Sequence, residues 1–341
     1  MKKLFIILII IYLSKNVFAS NFFDSQLFEI EFNSFKIEKT KIEKINEIKK
    51  ISIKNILKNT LTKKQFNNID HNLSDDLINT FIKNIIIDDE KIINNKYHSK
   101  IKINFNKNTI INYFREKNLP YVEFYPNNLL LIIYEKDNLN KNLFSLNNKF
   151  YNYFDKTLPN HHLFQIPNLD INDRYSLKID DLINKNFKKI KKFSKKYNSE
   201  DIIIIIADVV DKNVNYNLLL YSNNDFVEKK LIFYKYDLKL FFKYLEEETL
   251  DIWKNLNQIQ NNNLNSINCN ISYYNLLELK EIRINLLNTS IIENLNIKSL
   301  NFKNIDYNIT YYGNLKILKK ILKSNKLKIN INDDFCKIGL I

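Results

Sequence analysis

Glycine is nearly missing from this chain, occurring at only two of its 341 positions, 313 and 339. Phosphate-cradling loops, dinucleotide-binding fingerprints and nucleophile elbows need glycine at fixed spacings, because the backbone there turns sharply or closely approaches a ligand. The sequence therefore excludes these three common enzyme sites. Gly313 stands between an alternating segment and a leucine-rich one, which predicts a tight turn there, with Asn314 capping the helix that follows.

Other catalytic and metal-binding patterns are also missing from the sequence. Histidine occurs at 71, 98, 161 and 162, without the spacing of a zinc-protease helix or a Cys/His metal site. His161 and His162 come nearest to a ligand pair, but neighbours on an extended segment point in opposite directions, so we interpret them as loop residues. The acidic runs 75–76, 88–90 and 246–248 suit helix capping and solvation. We predict no catalytic, cofactor-binding or metal-binding residue, although two carboxylates brought together by the fold stay possible.

Residues 1–19 have the layout of a cleavable secretory signal. Lys2 and Lys3 form a positive end, residues 4–13 are an unbroken apolar run of ten, and Ala19 is the small residue before the cut. A retained membrane anchor is the alternative, but such a helix needs about 20 apolar residues. We therefore predict a periplasmic protein cleaved after Ala19. Ser20, rather than cysteine, follows the cut, so lipid attachment there is not expected.

The net charge of +14 invites a nucleic-acid interpretation, which the type of basic residue does not favour. Only Arg115, Arg174 and Arg283 among the 52 basic residues are arginine. Surfaces that bind phosphates and base edges favour arginine, because its planar fork binds bidentately. The abundance of Asn, Ile and Lys is typical of an AT-rich genome, so the charge indicates little about a partner. Weak contact with an anionic membrane surface stays open.

The chain has two cysteines, Cys269 and Cys336. In an oxidising compartment they can form a disulfide if their Cα atoms come within about 7 Å of each other. Two isolated small apolar residues are the alternative, and the sequence leaves both open.

The N-terminal part of the chain predicts a mixed α+β domain. Some segments alternate apolar and polar residues as half-buried strands do, and others carry apolar residues at helical spacing. The alternating strands are 28–37 and 97–105, the helices are 42–57, 77–86 and 109–117, and a continuous buried strand is 129–134.

Residues 137–175 are polar and asparagine-rich and show no sustained period, so we predict an irregular linker.

An amphipathic helix over 179–197 then opens a middle α/β domain. Its lysine-rich outer face is typical of a solvated surface, with docking on an anionic membrane as the alternative. The five isoleucines 202–206 predict a central buried strand. Next come two alternating strands, 214–221 and 226–236, and then a long helix. We expect Trp253 of this helix to pack in the core of the domain rather than bind a ligand.

The last part of the chain predicts a ferredoxin-like βαββαβ module. Its predicted elements are strand 267–274, helix 276–287, strands 295–302 and 305–312, helix 315–322 and strand 327–331.

Three short motifs, in this order along the chain, resemble those of one known family. They are Asn-Leu-Pro-Tyr at 118–121, Lys-Tyr-Asn-Ser-Glu-Asp at 196–201, and Tyr-Tyr-Gly at 311–313. They are similar to the Gly-Val-Pro-Tyr, Arg-Tyr-Gly-Ala-Asp-Asp and C-terminal turn motifs of the proteobacterial exported family catalogued as domain of unknown function 2066. Asn118 and Asn198 replace family glycines, and asparagine tolerates the left-handed backbone that such turns need. Cys336 stands where an aromatic residue is expected. The resemblance implies an exported, envelope-associated protein and no particular activity.

These patterns predict an α+β protein built from small α/β sandwich modules. The expected segments are a signal peptide 1–19, an N-terminal domain 20–136, a linker 137–175, a middle domain 176–262 and a ferredoxin-like domain 263–341. We expect a non-enzymatic interaction or assembly factor of the envelope, with no cofactor and no transmembrane helix in the mature chain. The alternative is a periplasmic hydrolase or ligand-binding protein with a carboxylate-lined cleft between domains.

Overall fold

A computed structural model describes residues 22–341, except 71, 127, 138–139, 160, 211–212, 223–224, 235–236 and 333–334. The predicted signal peptide lies outside the described residues. The strands of the described residues form three sheets, and helices pack against them. The predicted α+β class with small modules is confirmed. The chain divides into two compact units, one comprising residues up to 56 with 75–107, the other 57–74 with 108–341. The domain limits given above stay a prediction.

The helices and strands have the following bounds. In chain order they are β1 Phe28–Asn33, α1 Ile37–Thr60, α2 Lys63–Asp70, α3 Asp75–Phe81, β2 Ile82–Ile93, β3 Lys96–Phe105, α4 Lys107–Glu116, β4 Leu129–Lys136, β5 Lys141–Asn142, α5 Lys149–Thr157, β6 Phe164–Gln165, α6 Ile171–Ser176, α7 Ile179–Ile183, α8 Phe187–Lys195, β7 Ile202–Val210, β8 Asn213–Ser222, β9 Asp225–Phe233, α9 Leu238–Asn257, β10 Leu264–Ser272, α10 Leu276–Leu287, β11 Ile292–Asn301, β12 Asn304–Tyr312, α11 Leu315–Ser324, β13 Leu327–Asn332 and β14 Phe335–Leu340.

The first unit contains an antiparallel sheet of three strands in the order β1-β3-β2. The predicted helix over 77–86 is wrong in its second half, because α3 ends at Phe81 and β2 begins at Ile82. Ile82, Ile85 and Ile86 fit a helical face, but β-branched residues also favour strands, and here they pair with β3. Asn94 and Asn95 close the hairpin with φ of 48° and 64°, the left-handed conformation that a two-residue turn requires.

The second unit contains a six-stranded sheet in which β5, β4, β7, β8 and β9 lie side by side and β6 also pairs with β4. The predicted central isoleucine strand is confirmed as β7, which lies parallel to β4 and antiparallel to β8. Residues 129–135 of β4 are all buried. Helices cover both faces of these strands, which explains their continuous apolar sequences.

The predicted linker 137–175 contains two helices and two short strands. One of the asparagines that suggested a linker marks the start of a helix instead. The Asn148 side chain accepts hydrogen bonds from the N–H groups of Phe150 and Tyr151 and thereby caps α5. Phe150 and Tyr151 are fully buried. The predicted single helix 179–197 is also interrupted, by Lys185 at φ 52° between α7 and α8.

The C-terminal part of the second unit folds as a five-stranded sheet in the order β11-β12-β10-β14-β13. The predicted βαββαβ order of elements is present, but the sequence pattern missed β14. This strand inserts between β10 and β13 and runs parallel to β10. It brings Cys336 beside Cys269, and the two form a disulfide with Cα atoms 4.4 Å apart.

Turn predictions for the asparagines and for Gly313 are confirmed. Asn118 and Asn198 both have φ of 52°, and Gly313 has φ of 74°. The Asn314 side chain accepts a hydrogen bond from the Ile317 N–H at 3.0 Å and so caps α11. Asparagine therefore takes turn positions that other chains give to glycine.

Candidate functional site

The C-terminal sheet extends beyond the helices α10 and α11, which pack on one of its faces. In β12, Ile305, Tyr307 and Ile309 are buried on the helical face of the sheet. The β11 residues that pair with them, Ile297 opposite Tyr307 and Leu300 opposite Ile305, point to the same face. These two side chains are nevertheless 55% and 67% exposed. The apolar face of the edge strand β11 therefore lies outside the core.

Helix α10 is apolar around most of its circumference. Ile282 and Leu286 face the core and are buried. Four further apolar residues of the same helix are exposed: Leu276, Leu277, Ile284 and Leu287. Residues 274–302 hold eight of the 26 large apolar side chains that are exposed among the described residues. A cluster of this kind on a protein surface usually marks a contact with another molecule.

A groove of about 230 Å³ lies between α10 and β11. We call it the α10–β11 groove, and its main lining residues are Arg283, Leu287, Glu293, Leu295, Ile297 and Tyr307. Glu293 is engaged by the guanidinium of Arg115 at 3.6 Å, and Arg115 also stacks on the ring of Tyr312. Arg283 is exposed and forms no ion pair within the described part of the chain. The groove thus combines an apolar floor with an unpaired positive charge.

The edge of β11 is irregular. Its pairing with β12 shifts register between residues 292 and 294 and again between 297 and 299. Bulges of this kind twist an edge strand and discourage another strand from adding to it. Recognition at the α10–β11 groove would therefore use side chains rather than an added β-strand.

The opposite face of the C-terminal sheet is polar. Asn308 donates to Asn268 at 2.9 Å, and Asn270 donates to Asp306 at 2.7 Å across neighbouring strands. Hydrogen bonds from Ser299 and then Asn270 lower the pKa of Asp306. Apart from Leu264 at the start of β10, the exposed apolar side chains named above therefore lie on the side of the sheet that carries α10.

A second groove, of about 460 Å³, lies at the carboxyl ends of β4 and β7. Its charged residues are Lys136, Lys141, Lys185, Asp208 and Glu228. Lys185 and Asn217 hydrogen-bond Glu228, and the bond from Lys185 is the main reason why the pKa of Glu228 is lowered. A general acid needs a raised carboxyl pKa, so Glu228 is not suited to that role.

His161 and His162 do not point apart as the sequence analysis expected. The segment bends at these residues, so the two rings stack with centroids 4.9 Å apart. Both rings reach Glu246 of α9, with Nε2 of His161 at 3.5 Å and Nε2 of His162 at 3.2 Å from its carboxylate oxygens. The acidic run 246–248 was assigned to capping and solvation, because Glu246 lies more than 80 residues from the two histidines along the chain. These hydrogen bonds, first from His161, lower the pKa of Glu246 to about 2.

These three side chains place their possible metal ligands within 4.8 Å of one another. However, Nδ1 of His161 accepts hydrogen bonds from the N–H groups of Leu163 and Phe164, both at 3.2 Å. The proton of His161 therefore resides on Nε2 and is donated to Glu246. A metal bound at Nε2 would force the proton onto Nδ1, against two backbone donors. The cluster fits a hydrogen-bonded anchor of the 158–165 segment on α9 better than a metal site.

A buried polar network joins the two sheets of the second unit. Asp201 accepts hydrogen bonds from Lys320 at 3.0 Å, Ser222 at 2.7 Å and Trp253 Nε1 at 2.9 Å. Asn257 accepts from Lys320 at 3.0 Å as well. Trp253 is buried, as predicted, but its N–H partner was not foreseen. Ser222 lies 3.2 Å from the lysine amine, yet it is fully buried and donates to Asp201, so the network is structural rather than nucleophilic.

The Lys-Tyr motif at 196–197 has a structural role too. The Tyr197 hydroxyl lies 2.6 and 2.7 Å from the two oxygens of the buried Asp173, and Lys196 donates to the same carboxylate at 2.7 Å. Burial and then the Asp173 hydrogen bond raise the pKa of Tyr197 to about 12. Lys189 pairs with Asp181 at 2.9 Å. Two lysines of the predicted basic face are therefore engaged within the chain.

No helix among the described residues is long and apolar enough to cross a membrane. Comparison with protein-family models and with curated proteins gives no match. Among solved structures, the chain is similar to the C-terminal domain of LpoB from Salmonella enterica, with 11% identity and a TM-score of 0.24, covering 33% of this chain and 86% of that domain. A TM-score of this size is too low to establish a shared fold.

Proposed function

We propose that this protein is an exported, non-enzymatic interaction or assembly factor of the bacterial envelope, and that its C-terminal module binds the partner at the α10–β11 groove. The observation that carries the proposal is the exposed apolar lining of this groove, to which Leu287 and Ile297 contribute side chains that are 62% and 55% exposed. The signal-like N terminus and the resemblance to the exported family catalogued as domain of unknown function 2066 support the periplasmic location.

The chemistry of the groove defines the partner segment. Leu295, Ile297 and Tyr307 provide an apolar floor, and Arg283 provides a positive charge at its side. A complementary segment carries large apolar side chains next to a carboxylate. Because β11 is bulged, the segment binds through these side chains and adds no strand to the sheet.

Two synthetic peptides test this partner chemistry, one with paired leucines flanked by aspartate and one with the same leucines flanked by lysine. We expect fluorescence anisotropy to show tighter binding of the aspartate peptide to the full exported chain, and Arg283→Glu to reverse that preference. Ile297→Asp should weaken binding at least tenfold, since it places a charge on the apolar floor.

Ile232→Asp is the matched control. Ile232 is 53% exposed on β9 of the other sheet, so its substitution should leave peptide binding unchanged. Equal binding of both peptides, or equal loss in the Ile297 and Ile232 variants, would show that the groove is not the interaction site.

A further inference from the structure

The outer face of α10 forms a second apolar surface, next to the α10–β11 groove but separate from it. Leu277 and Ile284 are seven residues apart, so they lie on one stripe of the helix. They are 78% and 46% exposed. Lys280 and Glu281 lie between them, and Tyr274, just before the helix, extends the stripe by one turn. The buried residues Ile282 and Leu286 lie on the opposite side of α10, towards the core.

This stripe is complementary to the same stripe of a second α10 helix that runs in the opposite direction. A two-fold axis placed between residues 280 and 281 brings Leu277 of one helix opposite Ile284 of an antiparallel copy. The same axis brings Lys280 of each helix opposite Glu281 of the other. A two-fold interface uses one surface patch on both subunits, so it requires this kind of self-complementarity. A parallel alignment in register would instead oppose like charges.

We propose that a second copy of this chain binds the outer face of α10, forming an antiparallel, two-fold symmetric dimer. The apolar pairs supply burial, and the Lys280–Glu281 pairs set the direction and register of the two helices. Neither charge forms an ion pair with another residue in the described part of the chain, so both are available.

The size of the surface sets the expected strength of the dimer. Twelve residues of helix span about 18 Å at roughly 1.5 Å per residue. One such helix pair buries less than the about 1,200–2,000 Å² that is typical of stable complexes. We therefore expect a weak dimer, which forms at high protein concentration and dissociates on dilution.

Charge exchange tests both the partner and its orientation. Sedimentation equilibrium of the full exported chain should show a monomer–dimer equilibrium. Glu281→Lys alone and Lys280→Glu alone each place like charges opposite one another, so each should weaken dimerisation by about tenfold. The double variant Lys280→Glu/Glu281→Lys should recover dimerisation. A mixture of the two single variants should form heterodimers, since all four facing charges are then opposite.

A monomer at every concentration tested, or a double variant as weak as the single ones, would overturn the proposal. Ile297→Asp in the α10–β11 groove should leave the dimer intact, and Leu277→Asp should abolish it while retaining peptide binding at the groove. Failure of the dimer and failure of the groove are therefore distinguished by the same set of variants.

Discussion

The two sheets of the second unit bury their residues in opposite ways. The middle sheet contains β4, of which seven consecutive residues are buried, whereas β12 in the C-terminal sheet alternates buried and half-buried residues. Beside the middle sheet, Asp173 in α6 and Asp201 just before β7 are buried and hydrogen-bonded through both carboxylate oxygens. In the C-terminal sheet polar side chains cover the outer face, and apolar ones are exposed beside α10. The burial around the middle sheet stabilises the fold, whereas the exposed apolar side chains beside α10 leave a surface available for binding.

The sheets also differ in what holds them together. The C-terminal sheet has a covalent link between β10 and β14. The middle sheet has none among its described residues and depends on apolar burial and buried polar networks. We therefore expect each sheet to lose stability through a different class of substitution.

Loss of the disulfide should have the largest effect. Cys269→Ala/Cys336→Ala frees a link between residues 67 positions apart, which should cost about 4 kcal/mol of unfolding free energy through the entropy of the unfolded chain. Urea denaturation measures the total. Hydrogen exchange should show loss of protection in β10 and β14 first, with β7 still protected. Simultaneous loss in β7 would contradict the difference between the sheets.

Removing the buried charge of Asp201 comes next. Asp201→Ala leaves the Lys320 amine without its carboxylate, and the Lys320 side chain is only 16% exposed. We therefore expect the free energy of unfolding to fall by about 3 kcal/mol. The matched control is Glu200→Ala, which breaks the Glu200–Lys323 pair, whose side chains are both 63% exposed. This control should cost less than about 1 kcal/mol. Trp253, the single tryptophan, donates to Asp201, so its fluorescence reports the change directly.

Removing one hydroxyl should have a smaller effect. Tyr197→Phe removes the hydrogen bonds to the buried Asp173 while keeping the ring, and we expect a cost of about 2 kcal/mol in denaturant unfolding. Tyr175→Phe is the control, because the side chain of Tyr175 is 77% exposed. Equal effects of the two substitutions would show that the Asp173 contact contributes little.

Periodicity predicted most of the fold where one structure alone fits the pattern. The buried strand β7, the helix α10 and the capped turn at Gly313 are at or near their predicted places. The pattern failed where one sequence suits two structures, as in Ile82–Ile93, whose isoleucines satisfy both a helical face and a strand. It also failed for β14, because Phe335 and Gly339 break the alternation of Cys336, Ile338 and Leu340.

The candidate site was largely invisible in the sequence. Leu277 and Ile297 read as ordinary apolar residues of a helix and a strand, and only the fold shows that the core does not cover them. The same holds for Glu246, since its distance from the two histidines is a property of the tertiary structure. The apolar circumference of α10 was the one available signal, because an amphipathic helix on a protein surface normally has a polar side.

The smallest predicted effect is the pH dependence of the His162–Glu246 contact at the margin of the middle sheet. The hydrogen bond to Glu246 raises the pKa of His162 above its ordinary value. Stability from this contact is therefore fully present below the unfolded pKa of about 6.5 and is lost as the pH rises through the higher folded pKa. We expect His162→Gln to lower the melting temperature at pH 5 and to have little effect at pH 8, measured by calorimetry. Glu246→Gln should remove the same pH dependence, because the histidine then loses its carboxylate. An equal decrease at both pH values would show that His162 acts through packing alone and that its contact with Glu246 adds nothing to stability.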